Sequence, residues 1–210
     1  MNLRQDNASI RRRRQGYYSY KAMDMVCISR CGLYFGINRG ECGATLKRVL
    51  ITGMSGTGKS TTICELAARG YRAIDLDSDQ WSEWVPVDGD PTGANSGHDW
   101  MWRAERLESL LAVNDPGDLF VSGCAPNMGV FLPRFDHVIL LRAPVAIMLE
   151  RLASRTNNPY GKRPEEVAMV LENHRNIEPR LRKAAGYEID ASLPIPRVVD
   201  KVLAFASGTP

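Results

Sequence analysis

Three glycines, a lysine and adjacent hydroxyls stand together in Gly53-Met54-Ser55-Gly56-Thr57-Gly58-Lys59-Ser60-Thr61. The spacing satisfies the phosphate-loop pattern G-x-x-x-x-G-K-S/T at every fixed position. Glycines at these places let backbone N–H groups curl around an anionic phosphate, Lys59 reaches the outer phosphates, and the Ser60 hydroxyl can ligate Mg²⁺. Residues Gly53 and Ser55 to Thr61 are therefore the expected nucleotide site, with ATP and Mg²⁺ as the expected cofactors. A second group that can do chemistry is the acidic run Asp75-Leu76-Asp77-Ser78-Asp79.

The neighbouring segments must hold these groups in place. Lys47 to Thr52 (KRVLIT) reads as a strand that delivers the loop, and Lys59 to Arg69 as a helix closed by Gly70. Tyr71 to Leu76 is a second strand whose carboxyl end carries the acids; in a doubly wound sheet that end lines the ligand crevice. Trp81 to Gly97, rich in Gly, Pro, Asp and Asn, reads as a loop or flap, and Asp99 to Val113 as a helix with Ala104, Leu107, Leu110 and Leu111 inward. Further strands are expected at 118–122, 137–141 and 187–190. A helix begins at Pro144, another runs from Glu165 to Ala185, and a last one from Pro196 to Ala206. Strands alternating with helices predict an α/β fold, a three-layer phosphate-loop architecture with a parallel sheet of about five strands and helices on both faces.

Of the 27 Lys and Arg and 24 Asp and Glu, residues 1–46 hold 8 and 3, leaving 19 and 21 for residues 47–210. The basic balance belongs to the N-terminal segment, which has no sustained period and reads as a disordered extension. It is a solvated tail or an upstream extension, or else a contact for RNA or acidic lipid through Arg11 to Arg14. The near-neutral domain over 47–210 shows no nucleic-acid face. Cys27, Cys31, Cys42, Cys64 and Cys124 lack C-x-x-C spacing and fit reduced thiols in a cytoplasmic protein. No run is long enough for a membrane span.

A phosphate loop serves ATPases, GTPases and kinases alike, so the other carboxylates must discriminate. The strands over 118–122 and 137–141 run into Ser122-Gly123 and Arg142, not into the Asp that motor-type ATPases use for the magnesium shell, and no N-K-x-D tetrad occurs. The one acid cluster ending a central strand is Asp77-Ser78-Asp79. Ser78 or Asp79 could equally cap a short following helix.

With these motifs the chain resembles the shikimate, gluconate and adenylate kinase group of small phosphoryl-transfer enzymes, over roughly residues 47–206. Asp77-Ser78-Asp79 stands where shikimate kinases carry D-S/T-D. The resemblance implies that Asp77 supports Mg²⁺ through water, while Asp79 binds the acceptor hydroxyl and takes its proton. It implies further that Arg103 of Trp102-Arg103 and Arg175 of Arg175-Asn176 contact the acceptor, and that residues 155–164 form a lid. In that lid Arg155 would stack on adenine and Arg163 would clamp the transferring phosphate; Asp190-Ala191-Ser192 would hold adenine. A closing loop with Arg155, Lys162 and Arg163 meets the need for charge stabilisation and exclusion of water. By this resemblance Lys59, Asp79 and Arg163 are the catalytic residues, Ser60 and Asp77 the metal-holding ones, and Asp79, Arg103, Gly123 and Arg175 the acceptor side.

The sequence departs from shikimate kinases where specificity is read. Gly123-Cys124-Ala125-Pro126-Asn127 replaces their Gly-Gly-Gly run, and the Trp81 to Trp100 flap is foreign to them. The expected activity is thus ATP-dependent phosphoryl transfer to a small-molecule acceptor through a hydroxyl, by a monomer or homodimer. A nucleoside monophosphate kinase and an ATP-binding switch or assembly factor remain as alternatives. Trp81, Trp84, Trp100 and Trp102 form either an acceptor pocket or ordinary packing.

Overall fold

The computed structural model describes residues 46–88, 97–113 and 115–208. The basic extension expected over 1–46 lies outside the described residues except for Leu46, as do Cys27, Cys31, Cys42 and positions 89–96 of the expected flap.

In chain order the elements are β1 (Arg48–Thr52), α1 (Lys59–Ala68), β2 (Arg72–Asp75), β3 (Ser82–Pro86), β4 (His98–Trp102), α2 (Ala104–Ala112), β5 (Leu119–Ser122), α3 (Met128–Phe131), β6 (His137–Arg142), α4 (Val145–Ser154), α5 (Pro164–Asn176), α6 (Glu178–Ala184), β7 (Tyr187–Asp190) and α7 (Ile195–Ala206). Five strands form one parallel sheet in the order β2-β5-β1-β6-β7. The α/β fold and the five-stranded parallel sheet are as the sequence predicts. With β1 central, its carboxyl end sits between those of β5 and β6, the place where an open α/β sheet forms its ligand crevice.

The two-residue period of a strand divides the core. Leu50 of β1 joins Leu119, Val121, Val138 and Leu140 on one face, under Leu107, Leu111 and Phe131. Val49 and Ile51 turn to the other, with Phe120, Ile139, Leu141, Ile63 and Leu66. There α7 lays Val198, Val199, Val202 and Ala206 against the sheet. Each such aliphatic, fully buried, contributes roughly 1.5–3 kcal/mol of transfer free energy, and together they hold β1 and its loop rigidly. Among the described residues no helix is long and apolar enough to cross a membrane.

Two expectations need correction. The Trp81–Gly97 flap and the start of the Asp99–Val113 helix are, where described, the arms of an antiparallel hairpin pairing Ser82 with Trp102 and Pro86 with His98. Large aromatics at alternate positions suit a pleated strand better than a helix: Trp84 and Trp100 face each other with ring centroids 5.3 Å apart. Helix α2 starts only at Ala104, which is exposed, although Leu107, Leu110 and Leu111 point inward as expected. The second correction divides the Glu165–Ala185 helix at Ile177. Pro179 has no N–H to continue the ladder and disfavours helix at its predecessor, so the helix is interrupted at Ile177 and α6 begins with Pro179 in its first turn.

Candidate active site

The loop from Gly53 to Gly58 is packed so closely that side chains are excluded at two of its glycines. A Cβ on Gly53 would lie 2.5 Å from the Leu141 carbonyl oxygen, and one on Gly56 would lie 2.7 Å from that of Met148. Gly53, Gly56 and Gly58 all have positive φ. Thr57 turns inward: its hydroxyl donates to the Met54 carbonyl at 2.8 Å and its N–H reaches the same oxygen at 3.2 Å. Its side chain therefore closes the loop from within. Ser60 and Thr61 are exposed on the first turn of α1, whose leading N–H groups have no intrahelical acceptor, and Ser55 is half-buried. This combination of a bare backbone cradle, unpaired N–H groups and a lysine fits a nucleotide polyphosphate.

Lys59 is 9% exposed and folds back over its own loop, donating to the Gly53 carbonyl at 3.0 Å. Its Nζ also lies 3.5 Å from Oδ2 of Asp77. Asp77 is aimed by its neighbours. Asp75 Oδ1, at the end of β2, accepts the Asp77 N–H at 3.1 Å and the Ser122 hydroxyl of β5 at 3.1 Å. The other Asp77 oxygen accepts the Cys124 N–H at 3.3 Å. Gly123 fits beneath: a Cβ there would be 3.1 Å from Asp77 Oδ1 and 3.0 Å from the Trp102 indole. Lys59, Asp77 and Gly123 are thus brought together where the strands end, and an oxygen of Asp77 beside the loop suits an oxygen-ligated magnesium shell.

Burial pushes the Asp77 carboxyl up to about 6 from 3.8, with the Lys59 ammonium pulling it partly back. The folded chain therefore keeps a proton that the unfolded chain releases above 3.8, so stability from this group is lost as pH rises from 3.8 to about 6 and is level beyond. The full swing is on the order of 3 kcal/mol. In metal-free buffer, chemical denaturation should show the native chain gaining on Asp77→Asn as pH falls from about 6.5 to about 4; a pH-independent difference would contradict this assignment.

Asp79 is exposed, in the turn that leads to β3, and no helix follows for it to cap. Its carbonyl accepts from Arg103 Nε at 3.4 Å, while Arg103 Nη1 pairs with Glu83 of the hairpin at 2.7 Å. The Trp102-Arg103 pair thus sits beside the acids, at the hairpin's foot. Trp102 is buried, clamped through its backbone by the Asn127 side chain at 3.1 and 2.9 Å. Trp81 packs partly into the core with Arg106 above its ring at 5.0 Å, and Trp84 is exposed. Arg175 lies exposed on the last turn of α5 and makes no hydrogen bond or ion pair with the other candidate residues.

Between α4 and α5, Arg155 is half-buried and donates to the Tyr160 carbonyl at 2.8 Å. Arg163 donates through Nε and Nη2 to Glu166 Oε1 at 2.9 and 2.7 Å. Asp190 Oδ1 accepts the N–H and hydroxyl of Ser192 at 2.9 and 2.6 Å, shaping the loop before α7.

Sequence reasoning passed over Arg151, which ties that loop to the phosphate loop by donating to the carbonyls of Ala191 at 2.9 Å and Gly56 at 3.5 Å. Its spacing from Arg155, one helical turn, was the available signal. Glu83 and Glu166 were also missed; Glu83 pairs with Arg103 only because the hairpin forms.

Among solved structures, shikimate kinase from Acinetobacter baumannii in complex with shikimate is similar at 20% identity and TM-score 0.54, over 78% of this chain and 94% of that one. A gluconokinase from Sinorhizobium meliloti 1021 is similar at 18% identity and TM-score 0.51, over 78% and 95%. The fold is that of the small phosphate-loop kinases, as the motif resemblance implies. No curated protein sequence matches. A family model described as an AAA domain matches residues 49–178, more than half of the 210 residues, and the chain belongs to that family.

Proposed function

We propose that this chain transfers the γ-phosphoryl group of ATP, with Mg²⁺, to a hydroxyl group of a small-molecule acceptor. The observation that carries the reading is Lys59, held 3.0 Å from the Gly53 carbonyl and 3.5 Å from Asp77 in the acidic run that follows β2. ATP and Mg²⁺ would supply the transferable group and neutralise part of its charge. The chain's own residues do the rest. Backbone N–H groups of the loop, with Ser55, Ser60 and Thr61, hold the polyphosphate, and Lys59 exchanges its carbonyl partner for the outer phosphates. Ser60 and Asp77 would hold the metal.

Asp79, exposed in the turn after β2, accepts the acceptor hydroxyl's proton as the oxygen attacks. Arg155 and Arg163 approach from the lid side, Arg163 toward the moving phosphate's oxygens. Gly123 leaves room beside Asp77, and Arg103 and Arg175 are the cations of the acceptor side.

A hydroxyl acceptor is favoured over a nucleoside monophosphate because Asp79, exposed in the turn after β2, offers a base, which a hydroxyl needs and a phosphate does not. ADP release in the presence of MgATP should rise with polyols, sugars or sugar acids and stay basal with nucleoside monophosphates. Stimulation by the monophosphates alone would replace this reading with a nucleotide kinase.

A further inference from the structure

We infer that Glu166 is a positioning residue for the lid arginine, holding Arg163 and the lid's last turn as one preformed unit. The inference rests on the kinase reading, which gives Arg163 its phosphate to hold. Glu166 is the third residue of α5, and at 4% exposure it is among the few buried charged residues described. All of its acceptor capacity is committed locally. Oε2 accepts the N–H groups of Gly161, Lys162 and Arg163 at 2.9, 3.2 and 3.3 Å. Oε1 accepts Nε and Nη2 of Arg163 at 2.9 and 2.7 Å. One carboxylate therefore fixes both the backbone that carries Arg163 and the orientation of its guanidinium.

A helix-capping role alone requires only the Oε2 contacts. The fork contact through Oε1 adds something capping does not need: it selects one rotamer of a long side chain that otherwise loses considerable freedom on ordering. The segment is stiffened on its other side too, where Gly161, at φ +86°, would place a Cβ 3.1 Å from Leu152. Arg163 nevertheless keeps half of its side-chain surface accessible, at 49%. Its Nη1 also lies 3.6 Å from Glu165, whose side chain is 67% exposed, so that pair is screened by solvent and weak enough for a phosphate to displace. With its orientation set in advance, contact with a terminal phosphate costs less ordering entropy, and that gain belongs to triphosphate over diphosphate.

Glu166→Gln separates the two roles, because the amide oxygen can still accept backbone N–H groups while the charge that anchors the guanidinium is gone. The readout is the ratio of dissociation constants for ADP and a non-hydrolysable ATP analogue, with Mg²⁺, by titration calorimetry, which requires no turnover. The native chain should prefer the triphosphate. Glu166→Gln and Arg163→Ala should each cut that preference about tenfold, and Glu166→Gln should have no further effect on an Arg163→Ala background. Glu166→Asp should restore part of it.

An unchanged ratio in folded Glu166→Gln, or an equal loss with and without Arg163, would reduce Glu166 to a cap and overturn the inference. If Glu166→Gln fails to fold, Glu166→Asp and the Arg163 variants decide by the same ratio: an Asp variant that discriminates as the native chain does, without Arg163 mattering, overturns it. Failure of the kinase reading itself looks different, since the ratio can follow these variants while no acceptor receives phosphate.

Discussion

Lys59→Ala is expected to lower phosphoryl transfer by at least a hundred- to a thousandfold, about the loss seen when one preorganised charge-stabilising donor is removed, while leaving the fold intact. The lysine has two partners in the structure, the Gly53 carbonyl at 3.0 Å and Asp77 at 3.5 Å, and neither is a packing requirement. Removing the ammonium takes away the attraction that holds the Asp77 pKa down, so the carboxyl pKa rises further. Protonation is the inexpensive response of a half-buried acid that has lost its counter-charge, and it spares the fold the cost of an unpaired ion. Circular dichroism should accordingly show native helix and strand content in a variant whose turnover is nearly abolished. Turnover within about tenfold of the native chain would show that Lys59 does not touch the transferred group.

Gly53→Ala is expected to act through the fold. The new methyl would meet the Leu141 carbonyl at 2.5 Å and the Thr57 hydroxyl at 2.8 Å, and φ at this residue is +152°. The carbonyl belongs to β6, flanked by β1 and β7, and cannot retreat without disturbing the register that sets Leu141 against Ile189 of β7. The loop must move instead, giving up the Thr57 to Met54 bonds that close it. A loss on the order of 3 kcal/mol corresponds to a melting temperature about 10 °C lower for a chain of this size. Thermal denaturation checks the loss, and nucleotide titration should show weakened binding in the same variant. Gly70→Ala is the control, since nothing lies within 4 Å of a Cβ there and only its φ of +88° resists the change. Equal melting temperatures for Gly53→Ala and Gly70→Ala would mean that close packing at Gly53 is not what holds the cradle.

How much was legible in the sequence depended on the range over which each feature is encoded. The phosphate loop is contiguous, and strand, loop and helix each carry their own local signature, so Gly53 to Thr61 could be placed without the structure. The five parallel strands were legible for the same reason, since runs such as HVILL are buried on both faces and leave little ambiguity. Hairpin β3–β4 was not, because Gly, Pro and Asp between its arms read as loop, and Asp99 to Trp102 lead into a genuine helix. Only the pairing of Trp84 with Trp100 across the hairpin makes those aromatics a strand.

The same long-range pairing changes how the candidate residues stand. Asp77 and Asp79 read as a pair in the sequence, yet the structure gives them different surroundings. Asp77 is turned in toward Lys59 by Asp75 and Ser122, whereas Asp79 is left exposed. Arg103 is a candidate by its place in the sequence, and its partner Glu83 lies on a hairpin that local sequence does not announce. Arg175, another candidate that rests on sequence position, is exposed on the last turn of α5. Sequence order transmits the cradle well and the proposed acceptor side poorly, because the residues proposed for the second stand on the hairpin, the turn after β2 and the loop after β5.

The central claim is transfer of a phosphoryl group to a small molecule, and γ-labelled ATP tests it most directly. The full chain, incubated with MgATP and a desalted low-molecular-weight metabolite extract, should place label in an organic phosphate ester that is absent with Lys59→Ala. Label found only in inorganic phosphate, or retained in ATP that binds without turnover, would contradict the account and leave a nucleotide-binding switch in its place.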